Sequence, residues 1–365
     1  MARQRVPLSA TRATRRAREP WLVPVSGGSL AARSVMPRKP RKRKRPSQRN
    51  NSSVDLTLPG SRFLALLFFL EHMKTLFVHA HFDDYEFSTA GTFEMWRRQL
   101  GDDFRARVIV CTDGVAGHHR LSRKETARVR LAEQLESAKL AQCEFEQLLL
   151  PNGQPPREAC LQVDSDLLAA LWKSIRDFEP DYLFVPPLPA DSLVGLHVDH
   201  VAVAEAIRKV AYMINVPHAF TPEYPSDEAE PRPCKVPFIL TAYDGYMFGA
   251  NSYDLAVDVS ATFDLMVDMT WCHQSQVTEW LPWVGRHDMA VPKSKDEWRT
   301  TLEYRYAKRN RELGLGDQST VEVFGVTGWG EIPTLDQLKA DLPNLVTPPK
   351  CEARLVKRLA QWSGE

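Results

Sequence analysis

The chain has 365 residues, 43% hydrophobic and 25% charged, with six scattered cysteines and no C-x-x-C pair. Such a chain forms one large or two smaller globular domains with reduced thiols, which excludes a disulfide scaffold and a thiolate zinc site. The formal net charge of +1 hides a division: residues 1–50 hold 15 of the 47 basic residues and one of the 46 acidic ones, so they carry +14 and the remainder −13.

Residues 1–60 show neither helical nor strand periodicity and include the run PRKPRKRKRP at 37–46. They hold too little apolar surface to offset the entropy of folding, so 1–72 is expected to be a disordered basic extension. It reads as a nucleic-acid arm or nuclear-targeting patch, as a tail without a role, or as sequence upstream of a natural start at Met73; the last is preferred. FLALLFFL, residues 63–70, is too short to span a bilayer and too far along the chain for an ordinary secretory signal. No membrane span and a cytoplasmic location are expected.

From residue 74 the pattern alternates. A strand over 74–80 leads to a helix over 88–100, then a strand over 105–112 and an amphipathic helix over 126–142. A short strand over 145–150 stops at Pro151. A helix over 164–178, a strand over 181–187 stopped by prolines, and a helix over 199–213 follow. Alternation of this kind implies crossover connections, hence an α/β, Rossmann-like fold: a mostly parallel sheet with helices on both faces and the active site at the C-terminal ends of the strands. Beyond 215 the sequence predicts a Pro-rich surface loop, strands over 238–244 and 253–260, helices over 261–281 and 294–313, and otherwise a loose extension. The expected domains are 73–285, carrying the chemistry, and 286–365, packed on it.

The first strand runs straight into His79, His81, Asp83, Asp84 and Glu86. Burying so many titratable groups is costly unless something pairs with them, and a metal ion is one such partner. HVDH, 197–200, follows another strand and places His197 and His200 three apart, on one face of a helix start. A catalytic zinc needs three nitrogen or oxygen ligands and an open position. His81, Asp84, His197 and His200 offer more than enough, which leaves Asp83 and one histidine for base and oxyanion roles. Each pair alone could be a capped helix start or a surface helix pair; their placement after two strands of one sheet favours a site. Asp113, after the second strand, either reaches this site or serves a common Asp-Gly turn.

These segments resemble the LmbE-like, or PIG-L, zinc-dependent N-acetylglucosamine deacetylases. The family motif A-H-P-D-D-x-E stands here as Ala80-His81-Phe82-Asp83-Asp84-Tyr85-Glu86, followed by AGT. Its T-D-G-x-x-G signature is Thr112 to Gly117, its R-x-x-E is Arg130 and Glu133, and its H-P-D-H is His197-Val198-Asp199-His200. LLLPNG and HQSQ (273–276) match lesser features, so the resemblance spans roughly 74–280 in order. It implies a Zn2+ cofactor on His81, Asp84 and His200, with Asp83 as general base. It further implies that His197 stabilises the oxyanion with Asp199 orienting it, and that Arg130, with Asp113, binds substrate. The implied activity is hydrolysis of an N-acyl, chiefly N-acetyl, amide on an amino sugar or its conjugate.

Phe82 and Val198 replace two family prolines, which alters loop stiffness without removing a reactive group. The rival readings are a sugar-binding member with spoiled geometry and nucleic-acid association through the basic tail. His118 and His119 are read as a solvated loop in preference to lining the mouth. His273 is read as a helix-face hydrogen-bonding residue, and Trp271, Trp280 and Trp283 as packing residues. No G-x-G-x-x-G or P-loop follows any strand, so nucleotide binding has no support.

Overall fold

The computed structural model describes residues 72–229, 231–247, 249–285, 289–316 and 320–364. The basic extension and the FLALLFFL run fall on residues 1–71, outside those described. β1 (Met73–His79) is buried at every position except Lys74. Only a central strand of an α/β sheet is covered on both faces in this way. It pairs in parallel with β2 (Phe104–Val110) on one side and β4 (Tyr182–Val185) on the other. With β3 (Glu144–Gln147), β5 (Phe238–Thr241), β6 (Leu255–Asp258) and β7 (Val321–Val326), the order is β3-β2-β1-β4-β5-β7-β6. The first five strands are parallel; β7 runs antiparallel to both β5 and β6.

Alternate side chains of β1 feed two cores. Leu76 and Val78 pack with α4 (Ser165–Phe178) and α5 (Val198–Ala211), through Leu171, Ile175, Val203 and Ile207. Phe77 faces the opposite core, built on α2 (Ala90–Leu100) with Phe93 and Trp96. That core also holds Met266 and Val267 of α6 (Phe263–Cys272). The helices are therefore on both faces, as the alternation predicts. Between β1 and α2 lies the single turn α1 (Asp84–Ser88), and α3 (Arg123–Ala141) opens with a capping box of Ser122 and Glu125.

The region after 285 is more ordered in pattern than its prolines suggest. A four-residue helix, α7 (Leu281–Val284), precedes α8 (Lys295–Leu313), which buries Trp298 and Leu302; α9 (Leu335–Asp341) and α10 (Pro349–Ser363) follow. Strand β7 was not legible because it carries an acid. Glu322 is fully buried, and its carboxylate accepts the N–H groups of Gly91 (2.9 Å) and Thr92 (2.8 Å) at the start of α2. A negative charge there meets orphan donors and the positive helix end. No helix among the described residues is long and apolar enough to cross a membrane.

Candidate active site

The C-terminal ends of β1, β2, β4 and β5 open into one cavity of about 550 Å³. His81, Asp83, Asp84, Arg130, His197 and His200 all line it. The chain turns at Asp83, whose φ of 86° lies in the left-handed region. Asp tolerates that conformation better than most residues. The turn brings Asp84 back under β1, where its Oδ2 accepts His81 N–H at 2.7 Å and His79 Nδ1 at 2.5 Å. Oδ1 is left facing His200 Nε2 at 3.5 Å.

The histidines are held just as firmly. His200 Nδ1 is 3.1 Å from Asp244 Oδ2, and His81 Nε2 is 3.1 Å from Asp199 Oδ2. Each carboxylate fixes the proton on the nitrogen it faces. The other nitrogens, His81 Nδ1 and His200 Nε2, then present lone pairs to each other at 3.0 Å. Two lone pairs at that distance repel unless a cation lies between them. A tetrahedral zinc with bonds of about 2.0–2.1 Å sets its ligand atoms about 3.3–3.4 Å apart. Here the two nitrogens are 3.0 Å apart, His200 Nε2 is 3.5 Å from Asp84 Oδ1, and His81 Nδ1 is 3.5 Å from the other oxygen, Oδ2. Imidazole and carboxylate donors of this kind suit the ion. Against the cost of burial, the carboxylates of Asp199 and Asp84 lift His81 to about 10, so a proton meets the same demand in the free chain. His197, His81 and His200 also form a close triplet, as do His79, Asp84 and His200, with donor atoms within 4.8 Å.

Asp83 and His197 flank this cluster. Burial pushes Asp83 up to about 6, and Arg130 and His273 oppose the shift. Burial, with His81 and His200 beside it, pushes His197 down to about 4. His197 Nδ1 accepts the Asp199 backbone N–H at 3.3 Å, so a neutral ring carries its proton on Nε2. His197 can thus offer a hydrogen bond without being an imidazolium. Its expected partnership with the Asp199 carboxylate is not formed. That carboxylate is spent on His81 and on the N–H groups of Ala159 (2.6 Å) and Leu161 (3.1 Å); only the Asp199 backbone reaches His197.

The two residues expected to touch substrate also make internal contacts, and Arg130 lines the cavity. Asp113 Oδ1 accepts Glu158 N–H at 2.9 Å, which ties together the loops after β2 and β3. Arg130 is buried, donates to Phe82 O, and lies 3.3 Å from Asp83 Oδ1. The two glycines of the T-D-G-x-x-G segment serve this packing: a Cβ on Gly114 would overlap the Phe82 ring, and one on Gly117 would lie 2.8 Å from Arg130 Nη1. Phe82 is fully buried beneath that loop, and Val198 is exposed on the first turn of α5, so neither proline replacement intrudes on the cluster.

His273 is buried with Nε2 3.4 Å from Glu86 Oε1, and Glu86 holds it above its ordinary value despite burial. His118, His119, Trp283 and Trp280 stack in succession, with centroids 5.2, 4.7 and 5.4 Å apart. The loop histidines are therefore part of an aromatic ladder rather than solvated, and Trp280 lines the cavity. The partners of the candidate metal site, His79 and Asp244, have no role assigned from sequence, although the place of Asp244 just past β5 is a usable signal.

Residues 76–211 match the model of the family described as PIG-L, GlcNAc-PI de-N-acetylase. The N,N'-diacetylchitobiose deacetylase of Pyrococcus horikoshii superposes with a TM-score of 0.51 at 20% identity, covering 74% of this chain and 94% of its own. The 4-carboxy-2-hydroxymuconate hydratase of Pseudomonas putida KT2440 does so with a TM-score of 0.51 at 14% identity, covering 72% and 98%. At these identities the likeness is one of fold. No curated protein matches the sequence.

Proposed function

We propose that the chain is a zinc-dependent N-deacetylase acting on an amino sugar or an amino-sugar conjugate, releasing acetate and a free amine. The observation that carries this reading is the convergence of His81 Nδ1, His200 Nε2 and Asp84 on one point of the cavity, each fixed from behind by a charged or polar partner. A fold that hosts both a deacetylase and a hydratase does not decide the chemistry. The donor set and the family match favour amide hydrolysis.

Zinc held by His81, Asp84 and His200 would supply Lewis acidity at the cavity floor. Asp83, freed from ligation, accepts the proton of the attacking water and passes it to the departing nitrogen as the C–N bond breaks. Its raised value keeps it ionised at neutral pH yet basic enough to act. His197 donates Nε2–H to the carbonyl oxygen as negative charge grows there. Asp199 acts one step back, by holding His81. The direct test is elemental analysis of the full chain together with a screen of N-acyl sugars for released amine. Zinc with turnover supports the proposal, zinc without turnover moves the sugar-binding reading ahead, and a chain with neither zinc nor turnover overturns the proposal.

A further inference from the structure

The same cavity is lined on another side by α8, outside the matched PIG-L segment. Thr301, Arg305, Lys308, Arg309 and Glu312 line it at helical spacing, so they share one face. Arg305 is half-buried and lies against the Met289 thioether at 3.9 Å and the Phe87 ring at 5.3 Å. Arg309 is 6% exposed and lies against the rings of Tyr306 (4.0 Å) and Tyr243 (5.0 Å). Its Nη2 donates to Val321 O, while its Nε and the Tyr306 hydroxyl are buried without a hydrogen-bond partner. Among the described residues, no carboxylate lies within 4 Å of either guanidinium. Glu322, the buried acid on that side, is spent on Gly91 and Thr92, and Glu312 is exposed. Burial and the charge of Arg309 together hold Arg305 below its ordinary value.

Two guanidinium groups one helical turn apart, against aromatic rings and with no carboxylate in contact, are costly to hold empty. The cost is recovered when an anion enters. Arg is the side chain best shaped to receive one, by its planar fork of donors. Of the acids lining the cavity, Asp83, Asp84, Glu158 and Asp244 are gathered at the metal cluster, and Glu312, on α8, is exposed. We propose that Arg305 and Arg309 form an anion subsite, so that the substrate is an N-acylated amino sugar that also carries a carboxylate or phosphate group. This rests on the deacetylase reading and narrows its substrate class.

The test uses the zinc-loaded full chain and three substrates: N-acetylglucosamine, its 6-phosphate, and N-acetylmuramic acid, which bears a carboxylate. At least one anionic sugar should exceed the neutral one in kcat/KM by about 10–100-fold, the range of a charge-assisted hydrogen bond. Which one does so separates phosphate from carboxylate. In Arg305→Gln that ratio should collapse toward one, and in Arg305→Lys it should fall part-way. A wild type that shows no preference for either anion overturns the subsite whether or not the variants fold, as does a ratio unchanged in a folded Arg305→Gln. If no sugar is turned over, the deacetylase reading fails separately, and inorganic phosphate titrated calorimetrically into wild type and Arg305→Gln decides the subsite. Binding weakened at least about tenfold by the substitution supports it; equal binding, or none in wild type, overturns it.

Discussion

Replacing Asp244 by Asn tests the metal cluster without touching a ligand. The carboxylate is buried, with Oδ2 3.1 Å from His200 Nδ1 and Oδ1 accepting Tyr246 N–H at 2.8 Å. The loop is anchored separately, because Asn251 Nδ2 donates to Asp244 O (2.8 Å) and Met247 O (2.9 Å). Asn can keep the Tyr246 contact through its carbonyl, but its NH₂ then faces His200 Nδ1–H, donor against donor. Either the imidazole turns or its proton moves to Nε2, the nitrogen that faces Asp84 Oδ1. Loss of such an outer partner costs about 10–100-fold in metal affinity, or about 1.4–2.7 kcal/mol. We expect that loss in the zinc Kd measured by competition with a chromogenic chelator, with the circular dichroism spectrum unchanged. A folded Asp244→Asn protein with wild-type zinc affinity would refute the assignment of His200 as a ligand oriented by Asp244.

Asp83→Asn should retain zinc yet lose about 10²–10⁴ in kcat, whereas Asp84→Ala and His200→Ala should be metal-free by elemental analysis. The reverse pattern exchanges the roles of the two carboxylates. Because Asp83 is pushed up to about 6 and must be ionised to act, kcat/KM should be level above that value and fall as pH drops through it. A profile flat down to pH 4 removes Asp83 as the base. His197→Ala should keep zinc and KM while kcat falls about 10²–10³-fold, the pattern of an interaction made only in the transition state. Loss of zinc instead would make His197 a ligand, as its close triplet with His81 and His200 allows.

Much of the site was legible because a strand end is a fixed geometric point. His81 and Asp84 leave β1 three residues apart, and His197 and His200 open α5 at the same spacing, so the topology alone brings them to one sheet edge. What sequence could not show was how polar atoms divide their partners. Asp199 was expected to hold His197, but a carboxylate on the first helical turn can face either histidine, and only the fold decides that it faces His81. Asp113 and Arg130 carry charges suited to substrate, and both were claimed by backbone groups of neighbouring loops. Glu322 hid a strand for the opposite reason: it is a charge in a buried position, satisfied by a helix start 231 residues earlier.

Arg130 takes its place in a wider arrangement on α3. Residues 130, 133, 134 and 137 stand at helical spacing on one face, and all are polar. Gln134 accepts Asp83 N–H at 3.1 Å and donates to Glu86 at 2.8 Å; Ser137 donates to Glu86 at 2.5 Å. Glu133 accepts Ser275 N–H at 2.7 Å and its hydroxyl at 2.6 Å, where the chain winds into a π-helical turn (Ser275–Trp280). Gln276 in that turn donates to Gly117 O at 3.0 Å. One helix face thus grips the Asp83 turn, the T-D-G-x-x-G loop and the late helix together. The positive φ of Asp83 is a conformation that persists only when its surroundings over-determine it, and this grip supplies the determination. R-x-x-E thus clamps the turn that carries Asp83, and Arg130 also lines the cavity. Arg130 does its work by holding Phe82 O and standing beside Asp83, where its charge limits how far burial can raise the carboxyl.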